Sequence, residues 1–231
     1  MKTIRLLYPD WASGNLEEYY FGSHLMASIL PENSTQKLIK VEINPPDNTE
    51  RPTIDGIYAK EDVIAGTIKA MGKIEEENPD RVITIGGNCM VSLPAFDYLH
   101  GKSSNTGIIW IDAHPDVSVP ENGYPNAHSM VLGSLLGNGE KTFSSLMRNK
   151  PFKSDEILYV GLQPVHDYQE RFLKEKYRTR NSSPMKRFSP SATDSIRYLF
   201  ILISMFSMKG YSIQPISQTR SYQGMAQAEE K

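Results

Sequence analysis

The chain has 231 residues, 23% charged and 39% hydrophobic, with a formal net charge of -2. That length suits one α/β domain with a sizeable core, and so small a charge supplies no global pull toward nucleic acid or an anionic membrane. A single cysteine, Cys89, excludes an internal disulfide and fits a reducing, cytoplasmic setting; the N-terminal MKTIRLLYPDW lacks the apolar core and cleavage site of a signal peptide.

In chain order, residues 3–7 predict a short strand and 41–43 a second. Residues 61–77 predict an amphipathic helix with Ile64, Ile68, Met71 and Ile74 on one stripe, broken by Asn78-Pro79-Asp80. The β-branched run RVITI at 81–85 predicts a strand ending in Gly86-Gly87. Residues 96–99 belong to the next helix, and 101–106 to a loop. Strands are expected at 108–111 and 157–160, with a helix over 126–136 between them. Strands alternating with helices indicate a mainly parallel sheet covered on both faces. Ligands of such sheets bind at the carboxyl ends of the strands. Gly86-Gly87-Asn88-Cys89, the 112–116 segment and Gly161-Leu162 all fall there.

The 112–116 segment, Asp112-Ala113-His114-Pro115-Asp116, directly follows the apolar run Ile108-Ile109-Trp110-Ile111. If the backbone stays extended, alternate residues share one side, so Asp112, His114 and Asp116 converge. Two carboxylates and an imidazole at a strand end suit a divalent metal. The alternative is a polar turn in which one aspartate caps a helix.

Four motifs, in order and spacing, resemble the arginase/agmatinase/formiminoglutamase group of ureohydrolases. They are GGNC at 86–89, WIDAHPD at 110–116, NAHSM at 126–130 and YVGL at 159–162. The resemblance covers residues 1–168 and implies a three-layer α/β/α sandwich with an arginase-like domain over that span. It also implies two bridged Mn²⁺ ions that activate a hydroxide against a guanidinium or formimino carbon, and a small-molecule guanidino or formimino substrate. By motif, Asp112 is the bridging carboxylate, His114 a ligand of one metal and Asp116 of the other. Ser118 and Asn126 match positions that hold the amino-acid part of the substrate. His128 matches a histidine with a proton-transfer role, which an imidazole can fill near neutral pH; its alternative is a surface residue at a helix start. The family also forms homo-oligomers.

Two departures from the family pattern stand out. Where the family has GGDH, this chain has Gly86-Gly87-Asn88-Cys89. A thiolate ligand there favours Zn²⁺ or Fe²⁺ over Mn²⁺; alternatively Cys89 is a small buried side chain. The family also supplies two carboxylate ligands from a later strand, in the pattern F-D-x-D-V-L-D-P, and nothing after residue 168 reads that way. There the chain becomes basic from Arg171 to Arg187, then rich in Ser, Pro and Thr, then apolar over 198–208 (YLFILISMFSM). The basic stretch lacks a nucleic-acid-binding motif. About eleven apolar residues are too few for a helix to span ~30 Å of hydrocarbon, though they can form a buried strand of a shortened sheet.

A shifted reading frame accounts for the change of character. Residues 201–209 can be encoded ATT TTG ATC TCG ATG TTC TCG ATG AAA. Read from the third base, this gives Phe-Asp-Leu-Asp-Val-Leu-Asp-Glu, the missing pattern. The degenerate Leu, Ile and Ser codons are choices, but Met205-Phe206 forces Val and Met208-Lys209 forces Glu. Residues 169–231 are therefore expected to be an out-of-frame or disordered tail, leaving the sandwich incomplete at its C-terminal end. Without the later carboxylates at most one metal is expected, and activity is impaired. The alternative function is a catalytically inactive remnant, or a metal-poor binding protein of the same fold.

Overall fold

The computed structural model describes residues 1–103, 105–176 and the backbone of 197–202. Strands β1 (Thr3–Leu7), β2 (Lys37–Lys40) and β5 (Arg81–Ile85) form one sheet in the order β2-β1-β5, all parallel. A second parallel sheet has the order β7-β6-β8, from β6 (Thr106–Ile111), β7 (Ile157–Val160) and β8 (Arg197–Leu202). A short antiparallel hairpin, β3 (Thr53–Ile54) and β4 (Ile57–Tyr58), lies between β2 and the longest helix in sequence. The helices are α1 (Glu18–Ile29), α2 (Lys60–Glu77), α3 (Leu93–Lys102), α4 (Val131–Leu135), α5 (Lys141–Leu146) and α6 (Asp167–Lys176). This is the α/β architecture that strand–helix alternation predicts. Among the described residues no helix is long and apolar enough to cross a membrane.

The core grows from β1 and β6. Ile4, Leu6 and Tyr8 are fully buried and share a cluster with Val63, Ala70 and Ile74 of α2. Arg5, on the opposite face of β1, sends its guanidinium to the Gln36 side chain and the Pro31 carbonyl. In β6, Ile108 and Trp110 are buried, and Phe96 of α3 meets the Trp110 ring edge-on at 6.3 Å. Helix α3 packs against both β5 and β6, which joins the two sheets through one apolar face.

Local chemistry sets the element ends. Glu61 and Asp62 lie in the first turn of α2, where carboxylates offset the helix dipole. Asn78 ends the helix in the left-handed region (φ 45°), its N–H returning to the Ile74 and Glu75 carbonyls, and Pro79 prevents resumption.

Several expected boundaries move. The second strand lies at Lys37–Lys40 rather than 41–43; the Val41 N–H still reaches the Leu7 carbonyl, beyond the end of the ladder. The buried stripe of α2 runs through Val63, Thr67, Ala70, Met71 and Ile74, while Ile68 is exposed and Ile64 half-buried. Large aliphatics alone do not define the stripe: the Thr67 hydroxyl lies 3.4 Å from that of Tyr8, and a Cβ on Gly66 would lie 2.9 Å from the same oxygen. The helix expected over 126–136 starts as a 3₁₀ turn at Ala127–Met130 before α4. Helix α1 has no strong apolar period, and Phe21, Leu25 and Ile29 are exposed along it. Helix α6 crosses position 168, and Phe172 and Leu173 pack against the core. The apolar run at 198–208 contributes β8 as far as Leu202. Residues 203–208, most of the basic stretch and the polar tail lie outside the described residues.

Close packing of α1 on the turn after β5 gives a direct test. A Cβ on Gly87 would lie 2.4 Å from Tyr19 Cβ and 2.6 Å from its Cα. No rotamer relieves a clash with a Cα. Gly87→Ala is expected to cost about 1–3 kcal/mol, read as a lower urea midpoint; an unchanged midpoint would refute this packing.

Candidate metal centre

The turn after β5 carries Cys89, and Asn88 shapes it. The Asn88 amide donates to the Asp10 carbonyl (2.7 Å) and carboxylate (3.0 Å), while its Oδ1 accepts from Met90 N–H (2.9 Å) and Ser13 Oγ (3.0 Å). All four atoms of this exchange are buried, so Asn88 fixes the turn that places Cys89 at the end of β5. Gly86 is needed because a Cβ there would come within 2.6 Å of Val91. Burial raises the Asp10 carboxyl above the ordinary carboxylate range, and bonds from Ser13 and Asn88 partly oppose that.

The loop after β6 is held by its own carbonyls. Gln163 N–H donates to Ala113 O (3.0 Å), the Trp110 indole N–H to His114 O (3.2 Å), the Tyr159 hydroxyl to Pro115 O (3.4 Å) and Gly133 N–H to Asp116 O (3.1 Å). Asp112 N–H continues the β6–β7 ladder to Val160 O, and Asp112 Oδ1 accepts from His114 N–H (3.0 Å). This last bond bends the backbone at once. The segment is therefore not extended, and Asp116 sits in the left-handed region at φ 47°.

The bend changes which side chains meet. One ligand atom from each of Cys89, Asp112 and Asp116 lies within 4.8 Å of the others, and Cys89 Sγ stands 3.5 Å from Asp112 Oδ2. His114 does not join this group. Its side chain is 60% exposed, with Nδ1 3.6 Å from Asp112 Oδ1. The geometric expectation of three converging alternate residues thus holds for the two aspartates and fails for His114, because the Asp112 turn replaces the extended backbone. Cys89 takes the third place. Ser118 is buried, its hydroxyl 2.9 Å from the Tyr168 hydroxyl of α6, and its N–H bonds to Ser129 O. Asn126 and His128 lie nearby; Asn126 Oδ1 and His128 Nδ1 are buried with no hydrogen-bond partner among the described residues. Tyr124, which the sequence reading passed over, touches both: its hydroxyl is 3.1 Å from His128 Nε2 and 3.1 Å from Asn126 Nδ2. Its place two residues before Asn126 and four before His128 was the only signal.

The electrostatics describe a site that could hold a cation. Asp116 is 3% exposed, and its Oδ2 has no partner among the described residues. Burial first, and the adjoining Asp112 carboxylate second, push the Asp116 carboxyl well above its ordinary range. Burial, then Asp116 and Asp112, push the Cys89 thiol up. Burial brings His128 down to about 4, so the ring is neutral at pH 7. A divalent ion reverses this logic, since it favours the deprotonated thiol and carboxylates. The orphaned Asp116 oxygen and the mixed sulfur–oxygen donor set fit such an ion.

Asp116→Asn separates these effects. Because folding raises the Asp116 pKa, its contribution to the metal-free fold is most favourable below about 3.9, the unperturbed carboxylate value. That contribution is lost as pH rises toward the folded value. Chelated wild-type protein is therefore expected to lose stability from about pH 4 upward, and Asp116→Asn to remove that part of the slope while gaining about 1–3 kcal/mol at pH 7. A cation at a hundred times its Kd would stabilise wild type by about 2.7 kcal/mol and leave Asp116→Asn unmoved. Equal cation stabilisation of both proteins, read by thermal melts, would place the ion elsewhere.

Comparison with known proteins identifies the family. The sequence profile of the arginase family matches residues 27–195. An arginase of Entamoeba histolytica is 37% identical over 95 residues, 39% of this chain and 31% of that protein. An arginase of Staphylococcus aureus is 29% identical over 100 residues, 43% of this chain and 33% of that protein. The chain thus spans about a third of the length of these curated relatives. The crystal structure of Bacillus caldovelox arginase superposes with a TM-score of 0.64 at 16% identity, over 87% of this chain and 65% of that one, a likeness of fold. With the family profile matching most of its length, the chain belongs to the arginase family.

Proposed function

We propose that this protein is a metal-dependent ureohydrolase acting on the C–N bond of a small guanidino or formimino compound, in a form whose activity is impaired. The observation that carries this reading is the Cys89–Asp112–Asp116 group with its orphaned buried carboxylate oxygen, set at strand ends beside a neutral buried histidine. Those three side chains would hold the cation, with His114 able to join if its exposed ring turns inward. A divalent cation there supplies a water of lowered pKa and neutralises charge developing on the substrate. Asn126 Oδ1 would accept an N–H from the substrate, orienting it. His128, uncharged at pH 7, would take the proton released by the attacking water at Nε2, in place of the Tyr124 hydroxyl's hydrogen bond there, and pass it to the leaving amine. Ser118 would reach a substrate only after giving up Tyr168. A setting in the cytoplasm fits the free buried thiol, and a homo-oligomer fits the family.

Impairment follows from ligand count. Three protein donors can hold one ion but cannot compensate two neighbouring dications. A shifted frame after about residue 168 explains why the later carboxylates are missing. Strand β8 supports it: Leu202 pairs with Ile111, the residue just before Asp112. In the alternative frame the first recovered aspartate spans the codons of Leu202 and Ile203, which brings it level with the end of β6.

Urea or formamide release from arginine, agmatine, guanidinobutyrate and formiminoglutamate, with millimolar Mn²⁺, Zn²⁺ or Fe²⁺, is expected to be weak. The coding sequence is expected to use TTG, TCG and TCG for Leu202, Ser204 and Ser207, with the alternative frame open. Restoring that frame is expected to raise turnover by orders of magnitude and metal content from at most one to two equivalents after dialysis. A closed alternative frame would sink the frameshift. No release at all, with no retained metal, would favour a non-catalytic member of the fold.

A further inference from the structure

Tyr124 lies on a loop with little freedom. Val119 N–H donates to Asn122 Oδ1 (2.9 Å), Asn122 N–H returns to Val119 O (2.9 Å), and Gly123 N–H bonds to Pro120 O (3.0 Å) with Gly123 at φ 77°. The Tyr58 N–H of the β3–β4 hairpin donates to Pro125 O (3.0 Å), and Pro120 seats so closely on Gly56 that a Cβ there would lie 2.8 Å from it. On the other side of Tyr124, Ser129 N–H and Oγ both donate to Asn126 O, at 3.2 and 2.9 Å. A loop clamped at both ends holds its side chains in place before any ligand arrives.

From that position the Tyr124 hydroxyl meets two groups at once. Asn126 Nδ2 donates to it at 3.1 Å, and His128 Nε2 lies 3.1 Å away, with the two rings 5.9 Å apart and inclined at 45°. A hydroxyl has one proton and two acceptor sites. Receiving the amide N–H leaves its own proton to give, and the imidazole nitrogen in reach is Nε2. A neutral imidazole that accepts at Nε2 carries its proton on Nδ1. With the proton on Nε2 instead, the hydroxyl would accept twice and its own proton would go to solvent, which reaches the exposed Tyr124, in place of a ring nitrogen held 3.1 Å away by the clamped loop.

We infer that Tyr124 is a positioning residue: its hydroxyl, oriented by the Asn126 amide, holds His128 as the tautomer protonated on Nδ1. The ring's other nitrogen then becomes an unspent donor. Among the described residues His128 Nδ1 is buried without a hydrogen-bond partner, and so is Asn126 Oδ1, an acceptor two residues away. The relay thus leaves one N–H donor and one carbonyl acceptor free inside the site. A small molecule bearing both an N–H and a lone pair would satisfy both, which an amidine or formimino group does. That extension to substrate rests on the hydrolase reading above; the tautomer assignment does not, since it follows from contacts already made without metal or substrate. The burial that keeps the ring neutral at pH 7 is consistent with either tautomer.

The test is a long-range proton–nitrogen NMR correlation spectrum of the full, metal-free chain labelled with ¹⁵N-histidine, at neutral pH. Signals of His128 are assigned by their loss in His128→Gln. A pyrrole-like Nδ1 and a pyridine-like Nε2 are expected in wild type. Tyr124→Phe is expected to shift the population toward the Nε2–H form that free side chains prefer. Asn126→Asp keeps the shape but replaces the amide donor with a carboxylate acceptor. The tyrosine proton then turns to residue 126, and the His128 tautomer is expected to invert. Unchanged signals from His24, His100 and His166 verify the fold of each variant. A wild-type Nε2–H ring, or a His128 pattern that neither variant moves, overturns the assignment. Absence of hydrolysis bears on the proposed function and leaves this inference standing.

Discussion

The structure depends on the meeting of two aspartates and a thiol at the strand ends, where Asp116 Oδ2 finds no hydrogen-bond partner among the described residues. Asp112 and Asp116 are drawn together at the end of β6 by an Asx-type turn and by four hydrogen bonds to the loop's backbone carbonyls. Those bonds come from β6 itself, from Tyr159 in β7, from the chain after β7 and from α4. The loop is thus assembled by elements far apart in sequence, and its shape is a property of the whole second sheet. A buried carboxyl group beside a half-buried one and a thiol persists in a fold only when the surrounding packing over-determines it. Trp110, Ile108 and Phe96 supply that packing immediately beneath.

The first sheet serves the same end by a different route. Asn88 is bound on both its amide atoms by Asp10, Ser13 and the turn's own backbone, and it holds Cys89 at the end of β5. The two sheets share no strand pairing among the described residues, so the site bridges them through side chains. Helix α3, which packs on both β5 and β6, is what keeps Cys89 within reach of Asp112.

Much of this was legible in the sequence. The β-branched run at Arg81–Ile85 and the apolar run before Asp112 announced two of the parallel strands, and the ends of those strands announced the site. What escaped was set by tertiary packing. Helix α1 is too weakly patterned to be recognised alone and is held by Tyr19 and Ser23. Alternation brings Asp112, His114 and Asp116 to one side only where the segment is extended; the bond that the His114 N–H donates to the Asp112 side chain bends it, and His114 lies exposed. Tyr124 and Tyr168 carry no motif, and their importance lies only in the hydroxyl contacts they make with His128, Asn126 and Ser118.

The indole of Trp110 is buried in β6, yet its N–H is bonded to the carbonyl of His114, inside the loop that bears both aspartates. An indole's emission responds to the dipole facing its nitrogen. The protein therefore carries an optical reporter bonded to the loop of its own site: a ligand that shifts the backbone between Asp112 and Asp116 would move the carbonyl that Trp110 senses. The only other tryptophan, Trp11, points its N–H at Asn44 on the first sheet's side, so the two chromophores report on different halves of the fold.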